Sequence, residues 1–320
     1  MEKLKNDPFY IFPGMKNFLK EILVDPITGD NFVEDKKQGE AIFSSGEETY
    51  PIIDNVPLLL PKQKLNDVVS DLHTEFHSIF DYTAHYKEDA RQTDYFQEKE
   101  SAASREETRR EHQAIIKRIP EKAELILDVG CGNGWVANHF LKKGKKVISM
   151  DISTQNPTRV LKENPSENHA AIVADVFHLP FKKNSVDAII ASEIMEHVYD
   201  PSIFVEKLLE VLKPGGKLII ITPYNEKIEY NLCVHCNRPT PRNAHLHSFN
   251  ENNISSFIPK ELADYKSKNF SNKYLVRLRF YVLLSFLPYR LWKLTDLFAN
   301  FIIKKSTFFL IELNKRSSSE

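Results

Sequence analysis

Residues 125–135 read LILDVGCGNGW, an apolar run that ends near Asp128 and continues directly into a glycine-rich turn. The turn contains three glycines, which are Gly130, Gly132 and Gly134. Glycines leave room for a ligand to approach the backbone closely. The next apolar run, VISMDIS, contains a second acid, Asp151. A strand, a glycine turn and a later carboxylate that accepts ribose hydroxyls together predict a nucleotide-like cofactor at this turn.

A dinucleotide-binding turn is the competing interpretation of the same residues. Such turns follow the pattern G-x-G-x-x-G, in which the third glycine allows close packing of the helix on the strand. In this chain the position of the third glycine is occupied by Trp135, and Gly134 lies one residue before it. The spacing therefore does not fit a nicotinamide cofactor.

Short apolar runs alternate with helix-forming segments from Leu125 onward. The runs are LILDV, KVISMDI, AAIVADV, VDAIIASE and GGKLIIITP. This alternation predicts an α/β fold with a doubly wound parallel sheet and helices on both faces. Ligands of such sheets bind at the carboxyl ends of the strands, where Asp128 and Asp151 fall.

The order of acid, G-C-G-N-G and a second strand ending in Asp151 resembles the class I S-adenosylmethionine (SAM) methyltransferases, over roughly residues 90–260 plus a final strand. The resemblance implies their Rossmann-like sheet and SAM as cofactor. It assigns Asp128 to the amino-acid end of SAM, Asp151 to the ribose and Asp175 to the adenine amino group. The expected cofactor-binding residues are Asp128, Gly130, Gly132, Gly134, Asp151, Ile152, Asp175 and Val176.

Length and composition allow one large domain plus a smaller module, since 42% of the 320 residues are hydrophobic and 27% are charged. With 43 basic and 44 acidic residues, the net charge of −1 gives no sign of a polyanion partner, and we expect no binding to DNA. The chain has three cysteines, and residues 1–10 lack the apolar run of a secretory signal. These features predict a cytoplasmic protein.

Three regions are predicted along the chain. Residues 1–62 alternate apolar runs with turn signals and form a small β-rich module. Residues 63–120 form helices that cover the cofactor site, and the interleaved Arg and Glu of 98–119 predict a solvated helix face. Residues 121–320 form the methyltransferase domain, with an insertion at about 277–304 before a last antiparallel strand.

The end of the first region, YPIIDNVPLLLP, resembles that of the zinc-ribbon-like proteins related to the activating subunit of tRNA and protein methyltransferases. That family carries a cysteine before the proline of C-P-x-T-G, where this chain has Asp25. A methyltransferase-like domain joined to such a module leaves open a second class of function, a noncatalytic binding or activating subunit. The intact acids and glycine turn favour an enzyme.

The stretch ASEIMEHVYDP follows the fourth predicted strand and contains a candidate metal site. Residues three or four apart share a helix face, so Glu193, Glu196 and His197 are predicted to converge. Mixed oxygen and nitrogen donors suit Mg, Mn, Fe or Zn. The motif E-x-x-E-H resembles that of the small-RNA 3′-terminal 2′-O-methyltransferases and the ubiquinone-pathway O-methyltransferases. The first of these families implies a fourth ligand at His247, with His245 as its close competitor.

This motif leads to the hypothesis of metal-assisted methylation of a hydroxyl. The expected metal ligands are Glu193, Glu196, His197 and His247. A divalent cation there would lower the pKa of the acceptor hydroxyl, with Glu196 and His197 as the catalytic residues. The alternative is that Glu196 and His197 cap a helix and line an uncharged pocket. The expected acceptor is a small-molecule, sugar or lipid-linked hydroxyl, and RNA ribose is the alternative.

Cys233 and Cys236 form a second constellation in NLCVHCNRPTP, with His235 between them. A C-x-x-C pair supplies half of a zinc site, and His245 or His247 is close enough in sequence to complete it. Two plain thiols are the alternative. If zinc takes both histidines, the first site loses its fourth ligand, so the two hypotheses compete.

The late stretch RLRFYVLLSFLPYRLWKLTDLFANFIIKK is apolar with scattered basic residues. Pro288, Arg290, Lys293 and Asp296 interrupt it before about twenty apolar residues accumulate, so we do not expect it to span a membrane. One prediction is a helical lid over the acceptor pocket. The other is an interfacial helix pair in peripheral contact with a membrane, which reaches a lipid-linked acceptor.

Overall fold

The computed structural model describes residues 16–37, 40–46, 48–61, 82–99, 101–232, 237 and 239–317. The strands are β1 Val33–Lys37, β2 Glu40–Ser45, β3 Glu48–Ile53, β4 Val56–Pro57, β5 Leu125–Val129, β6 Lys146–Asp151, β7 His169–Val173, β8 Val186–Ser192, β9 Leu212–Pro223, β10 Tyr230–Leu232, β11 Pro239–Pro241, β12 Ala263–Asn272 and β13 Ser306–Lys315. The α-helices are α1 Asn17–Lys20, α2 Tyr82–Gln92, α3 Ala102–Ile116, α4 Trp135–Leu141, α5 Gln155–Glu163, α6 Pro201–Val211, α7 Lys273–Arg277, α8 Phe280–Leu283 and α9 Tyr289–Ile302.

The central sheet has seven strands in the order β12-β13-β9-β8-β5-β6-β7. The five strands from β9 to β7 are parallel, and β13 lies antiparallel between β9 and β12. The chain runs outward from β5 to β7 and then returns to the other side of β5 at β8, so the direction of winding reverses there. Ligands of open α/β sheets bind at such a switch point. The prediction of a doubly wound α/β sheet is confirmed.

The sheet is covered on both faces, which explains why its central strands are apolar throughout. Every residue of β5 and of β7 is buried. Because side chains alternate along a strand, Leu127 of β5 joins the hydrophobic cluster of one face and Ile126 joins that of the other. Helix α6 contributes Phe204 to the first cluster, and α4 contributes Phe140 to the second.

A four-stranded antiparallel sheet, in the order β1-β2-β3-β4, lies beside the central sheet. The Leu59 N–H donates to the Val173 carbonyl oxygen at 2.8 Å, which joins this module to the end of β7. Tyr50 belongs to the same hydrophobic cluster as Leu127. The core of the module is therefore continuous with that of the central sheet. The limits of the three regions along the chain stay a prediction.

Asp25, which replaces the cysteine of the activator-like family, caps a turn. One carboxylate oxygen accepts the N–H groups of Ile27 and Thr28 at 2.8 and 2.9 Å, and the other accepts the Tyr50 hydroxyl at 3.2 Å. The side chain is buried, and its hydrogen bonds account for it without a metal. The resemblance of this module to the activator family stays a prediction.

Helix α3 differs from its predicted solvated face. Glu106, Arg110 and Glu111 are buried, so the expectation is wrong for that side of the helix. Arg110 donates to Glu106 at 2.6 Å and to the carbonyl oxygens of Leu284 and Leu287 at 3.1 and 3.0 Å. The charges are buried because each has hydrogen-bonding partners, which the sequence pattern does not reveal.

Helices α7, α8 and α9 all lie between β12 and β13. Helices α8 and α9 fall within the insertion predicted at about 277–304, whereas α7 precedes it and ends at Arg277. Within the described ranges, no helix has the length and apolar character needed to cross a membrane.

Candidate active site

A cavity of about 410 Å³ lies at the carboxyl ends of the central strands, within the usual size range of small-ligand sites. It is lined by the turn after β5, by the end of β6 and by the residues that follow β8. Tyr86 and Asp89 of α2, with Tyr95 and Lys99 of the next segment, also line it. The cavity therefore lies where the predicted cofactor residues end their strands.

The glycine turn brings backbone to the cavity wall. Gly130 has a φ of +70°, and a Cβ there would lie 2.1 Å from Ile194 Cδ1, so only glycine fits without displacing that side chain. Gly130 and Gly132 both line the cavity. Gly134 does not, and its role is packing, since a Cβ there would lie 2.6 Å from Val160 Cγ1 on α5.

Asp128 lies in this cavity with an incomplete set of partners. Its side chain is buried, and its Oδ2 has no hydrogen-bonding partner among the described residues. Burial, and then the charge of Asp151, raise the pKa of Asp128 to about 8. A buried carboxylate oxygen without a donor fits a ligand that carries a cationic group, as the amino-acid end of SAM does.

Asp151 ends β6 and lines the same cavity together with Ile152. One oxygen accepts the Ser153 N–H at 2.9 Å, and the other accepts the Asn156 amide at 3.2 Å. Burial raises the pKa of Asp151, while these hydrogen bonds oppose the shift. A carboxylate has further lone pairs for ribose hydroxyls, so this position fits its predicted role.

The third predicted acid is not brought to the cavity. Val176 lines the cavity, but Asp175 does not. The Asp175 carboxylate accepts the Phe177 N–H at 3.1 Å and bonds His178 Nδ1 at 3.1 Å. Asp175 thus closes the turn that carries Val176.

A second group of side chains adjoins the cavity. Glu196, His197 and His245 each offer one ligand atom, and these atoms lie within 4.8 Å of one another. His197 Nε2 lies 3.9 Å from Glu196 Oε1, and the two imidazole rings are 4.7 Å apart between centroids. The structure brings two of the predicted ligands together, and the competitor His245 joins them in place of His247.

The other two predicted ligands lie outside this group. The His247 Nε2 hydrogen-bonds the Tyr199 carbonyl oxygen at 3.3 Å, and its ring lies 6.1 Å from that of Phe249. Glu193 lines the cavity, and one of its buried oxygens has no partner among the described residues. Its φ of 57° is unusual for a residue with a side chain and marks a strained backbone at this edge.

Both histidines of the group are held by their Nδ1 atoms. The His197 Nδ1 lies 3.3 Å from the Ala244 carbonyl oxygen, and the His245 Nδ1 lies 2.5 Å from Glu226 Oε2. A donor Nδ1–H leaves Nε2 as a free acceptor, which is the arrangement of metal-binding histidines. Burial lowers the pKa of His197 to about 4. Burial also lowers that of His245, but Glu226 and Glu196 outweigh it and raise the pKa.

Glu196 is fully buried, and neither of its oxygens has a hydrogen-bonding partner among the described residues. Burial raises its pKa to about 7. Burial, followed by the charges of Glu196 and Glu111, also raises the pKa of Glu193 well above its usual value. Crowded, unpartnered carboxylates of this kind are stabilised by a bound cation.

A second cavity, of about 740 Å³, adjoins the first. The residues that line both cavities are Tyr86, Asp89, Tyr95, Glu193 and His197. His245 and Arg242 line only the second of the two. The glutamate and histidine group therefore stands where the two cavities meet.

Two residues of this site were not predicted. Glu226 lies three residues after the end of β9. Its position after a strand end is the feature of the sequence that could have indicated a site residue. Glu111 accepts the Ser192 hydroxyl at 2.7 Å, but its charged helical surroundings gave no signal of burial. Cys233, His235 and Cys236 lie outside the described residues, so the structural zinc stays a prediction.

Comparisons with known proteins find partial relatives. A probable S-adenosylmethionine-dependent methyltransferase of Mycolicibacterium smegmatis is 27% identical over 121 residues, which are 36% of this chain and 44% of that protein. A ubiquinone biosynthesis O-methyltransferase of Chelativorans sp. is 34% identical over 107 residues, 32% of this chain and 42% of that protein. This chain thus spans about half the length of the curated relatives that it matches.

A solved S-adenosylmethionine-dependent methyltransferase from Mesorhizobium loti superposes with a TM-score of 0.47 at 16% identity, covering 64% of this chain and 97% of that chain. Residues 127–220 match the family model described as a methyltransferase domain. This match covers the glycine turn, β6, β7, β8 and most of β9. With its antiparallel β13, the sheet has the Rossmann-like class I methyltransferase fold.

Proposed function

We propose that this protein is a SAM-dependent methyltransferase that methylates a hydroxyl oxygen with the assistance of a divalent cation. The observation that carries the proposal is the meeting of two cavities at the glutamate and histidine group. One cavity is lined by Asp128, Asp151, Gly130 and Gly132, which are four of the residues expected to bind SAM. The other is large enough for an acceptor, and His197 lines both.

The chain's own residues have separate tasks in this proposal. Asp128 offers an unpartnered carboxylate oxygen to the cationic end of SAM, and Asp151 offers lone pairs to its ribose. Bound SAM supplies a methyl group on a positively charged sulfur. The glycine turn would let the ligand lie close to the backbone, because Gly130 and Gly132 line the cavity without side chains.

Glu196, His197 and His245 would hold the divalent cation. Two imidazoles and one carboxylate make a donor set found in catalytic zinc sites and suited to Mn as well, and Mg remains among the candidates. The cation would supply positive charge that lowers the pKa of a hydroxyl bound beside it. His197 is neutral at pH 7 because its pKa is about 4, as a metal ligand must be.

A small-molecule, sugar or lipid-linked hydroxyl is the acceptor class that we propose. The second cavity of about 740 Å³ is of a size for such a molecule. The similarity to a ubiquinone biosynthesis O-methyltransferase supports oxygen as the accepting atom.

The test is transfer of labelled methyl from SAM into the RNA, protein and organic-extractable fractions of a cell lysate, with and without a chelator. We expect chelator-sensitive label in the organic fraction. Label in RNA would move the acceptor to ribose. Label that survives chelation would remove the cation from the mechanism, and SAM binding without transfer to any fraction would indicate a noncatalytic subunit.

A pair of variants tests the proposed ligands directly. His245→Ala should weaken binding of Zn²⁺ or Mn²⁺ at least about tenfold, measured by calorimetry. His247→Ala is the matched control, since His247 is a nearby histidine outside the group, and it should keep the metal affinity. SAM binding should be the same in both variants. Equal metal affinity in the two variants would contradict the proposed ligand set.

A further inference from the structure

Exposed apolar side chains are concentrated in the segment that joins β12 to β13. Of the 20 large apolar side chains that are exposed in the described part of the chain, 13 lie between residues 273 and 305. Phe286 and Phe301 are 79% and 81% exposed. We call the exposed apolar side chains of residues 274–303 the apolar face. Soluble monomers rarely expose contiguous apolar surface on this scale without a partner.

Helix α9 turns its apolar residues outward and a charged residue inward. Trp292 and Asp296 are its buried residues. Leu294, Phe298 and Phe301, at spacings of four and three, are 61%, 66% and 81% exposed. A helix on a water-soluble surface normally has the opposite arrangement. The outer face of α9 is therefore suited to an apolar medium.

Polar contacts hold this orientation in place. The Asp296 carboxylate accepts the N–H groups of Ser271 and Asn272 at 3.0 and 2.7 Å and the Tyr281 hydroxyl at 3.0 Å. Rotating α9 to bury its leucines and phenylalanines would break these buried hydrogen bonds, which is costly. The apolar face is thus a fixed feature of the fold.

The same segment is strongly basic. Residues 273–305 contain one acid, the buried Asp296, and seven basic residues, although the whole chain has a net charge of −1. Arg277, Arg279 and Arg290 are exposed beside the apolar face. An exposed apolar surface with a cationic rim matches an interface where hydrocarbon lies next to anionic groups.

We infer that the apolar face docks on the surface of a bilayer that contains anionic lipids. The face would enter the boundary between head groups and acyl chains, and the basic rim would contact the anionic head groups. A second copy of this chain is a poorer occupant, because a symmetric pair would bring two cationic rims together. The inference does not depend on the reaction proposed above.

The position of the face suggests a route for an acceptor, and this part does rest on the proposed function. A groove of about 580 Å³ between α9 and the two preceding helices is lined by Leu278, Phe298 and Ile302. Lys273 and Lys305 line a cavity that they share with His245. Asn272 and Tyr274 of the groove flank Lys273 in the chain, so a lipid whose chain lies in the groove would place its head group near these two cations.

The first test is sedimentation of the full chain with vesicles of phosphatidylcholine that contain phosphatidylglycerol, beside vesicles of phosphatidylcholine alone. We expect binding to the anionic vesicles that weakens with added salt. The triple variant Phe286→Ser, Phe298→Ser, Phe301→Ser should bind at least about tenfold more weakly. Ile203→Ser, at an exposed apolar residue on α6, is the control and should bind as the native chain does.

Charge reversal tests the rim separately. Arg277→Glu with Arg290→Glu should reduce binding at least about tenfold, whereas Lys122→Glu with Lys260→Glu, at exposed lysines elsewhere, should reduce it much less. Failure of the native chain to bind anionic vesicles would overturn the inference. So would equal binding by the apolar variant and the native chain, or a native dimer that the apolar variant separates without any vesicle binding.

Insertion gives a readout that loss of folding cannot imitate. Phe301→Trp places a fluorophore on the apolar face, and we expect its emission to be quenched by vesicles of brominated phosphatidylcholine mixed with phosphatidylglycerol. Ile203→Trp should show only the background of the native tryptophans. Equal quenching of the two variants would overturn the inference. None of these measurements requires SAM, metal or methyl transfer, so their failure is distinguishable from failure of the proposed function.

Discussion

Asp128 shows how a single residue links the fold to the cofactor. It is the last residue but one of the apolar strand β5, and one of its buried oxygens has no donor among the described residues. Its pKa of about 8 means that much of it is protonated at neutral pH, so binding of a cationic ligand must release a proton. We therefore expect SAM affinity to rise with pH between about 6 and 7.5, by up to about tenfold per pH unit, below the range where an α-amino group titrates.

Isothermal titration calorimetry across that pH range, in buffers of different ionisation enthalpy, measures both the affinity and the proton release. Asp128→Asn is the control because an amide neither ionises nor releases a proton. The variant should bind SAM more weakly, with a flatter pH dependence. The same slope in the variant and the native chain would show that another group titrates.

Glu226 is a positioning residue for His245 in the proposed metal site. Its hydrogen bond to Nδ1 leaves Nε2 free and keeps the imidazole basic. We expect Glu226→Gln to weaken metal binding by about 10- to 100-fold while SAM binding stays unchanged. Glu229→Gln is the matched control, since Glu229 pairs with Arg242 at an exposed surface. Isothermal titration calorimetry with the metal ion measures both affinities. Equal metal affinity in the two variants would contradict this role.

At the scale of an element, the stability of α9 depends on its single acid. Asp296→Ala removes acceptors from the N–H groups of Ser271 and Asn272 and leaves them buried without partners. We expect a loss of roughly 3 kcal/mol in the free energy of unfolding. Leu297→Ala, on the exposed side of the same helix, should change it by only about 0.5 kcal/mol. Urea denaturation measures both, and similar losses would mean that α9 is held mainly by apolar contacts.

Elements differed in how far the sequence could predict them. The parallel strands were predictable because burial on both faces requires continuous apolar runs, as in β5. The buried side of α3 was not, since a paired Arg110 and Glu106 resemble a solvated pattern in sequence. In α9 the helical spacing of apolar residues is regular, but periodicity does not tell whether the apolar side faces the core or an external partner.

The candidate site also contains residues that the sequence could predict and residues that it could not. Asp128 and Asp151 were predictable because strand ends place them at one edge of the sheet. Glu196 and His197 are adjacent in sequence and lie in a turn, so the predicted helix face is wrong although the two residues do meet. The pairing of Glu226 with His245 was not, since the two residues lie 19 positions apart in an irregular segment. Only the folded loop decides that His245 rather than His247 reaches the group.

For the molecule as a whole, buried carboxyls tie stability to pH. The pKa values of Asp128 and Glu196 are raised to about 8 and about 7, so the folded state keeps protons that the unfolded state has already lost. Stability should therefore fall as the pH rises through those values. His197 and His112 act in the opposite direction, because their lowered pKa values of about 4 make stability rise with pH up to their unfolded value of 6.5. Above pH 6.5 these two histidines no longer oppose the loss of stability that the two carboxyls cause.

Between about pH 6.5 and 8, we expect the ligand-free protein to lose roughly 2 kcal/mol of unfolding free energy, or several degrees in Tm. Saturating SAM with Zn²⁺ or Mn²⁺ should flatten this dependence, because bound cationic groups favour the ionised carboxylates. Thermal unfolding at several pH values, with and without both ligands, measures the difference. Glu196→Gln should remove the part of the slope near pH 7 and leave the part near pH 8. A ligand-free Tm that rises from pH 6.5 to 8 would contradict the assignment, because the folded state would then hold fewer protons than the unfolded chain.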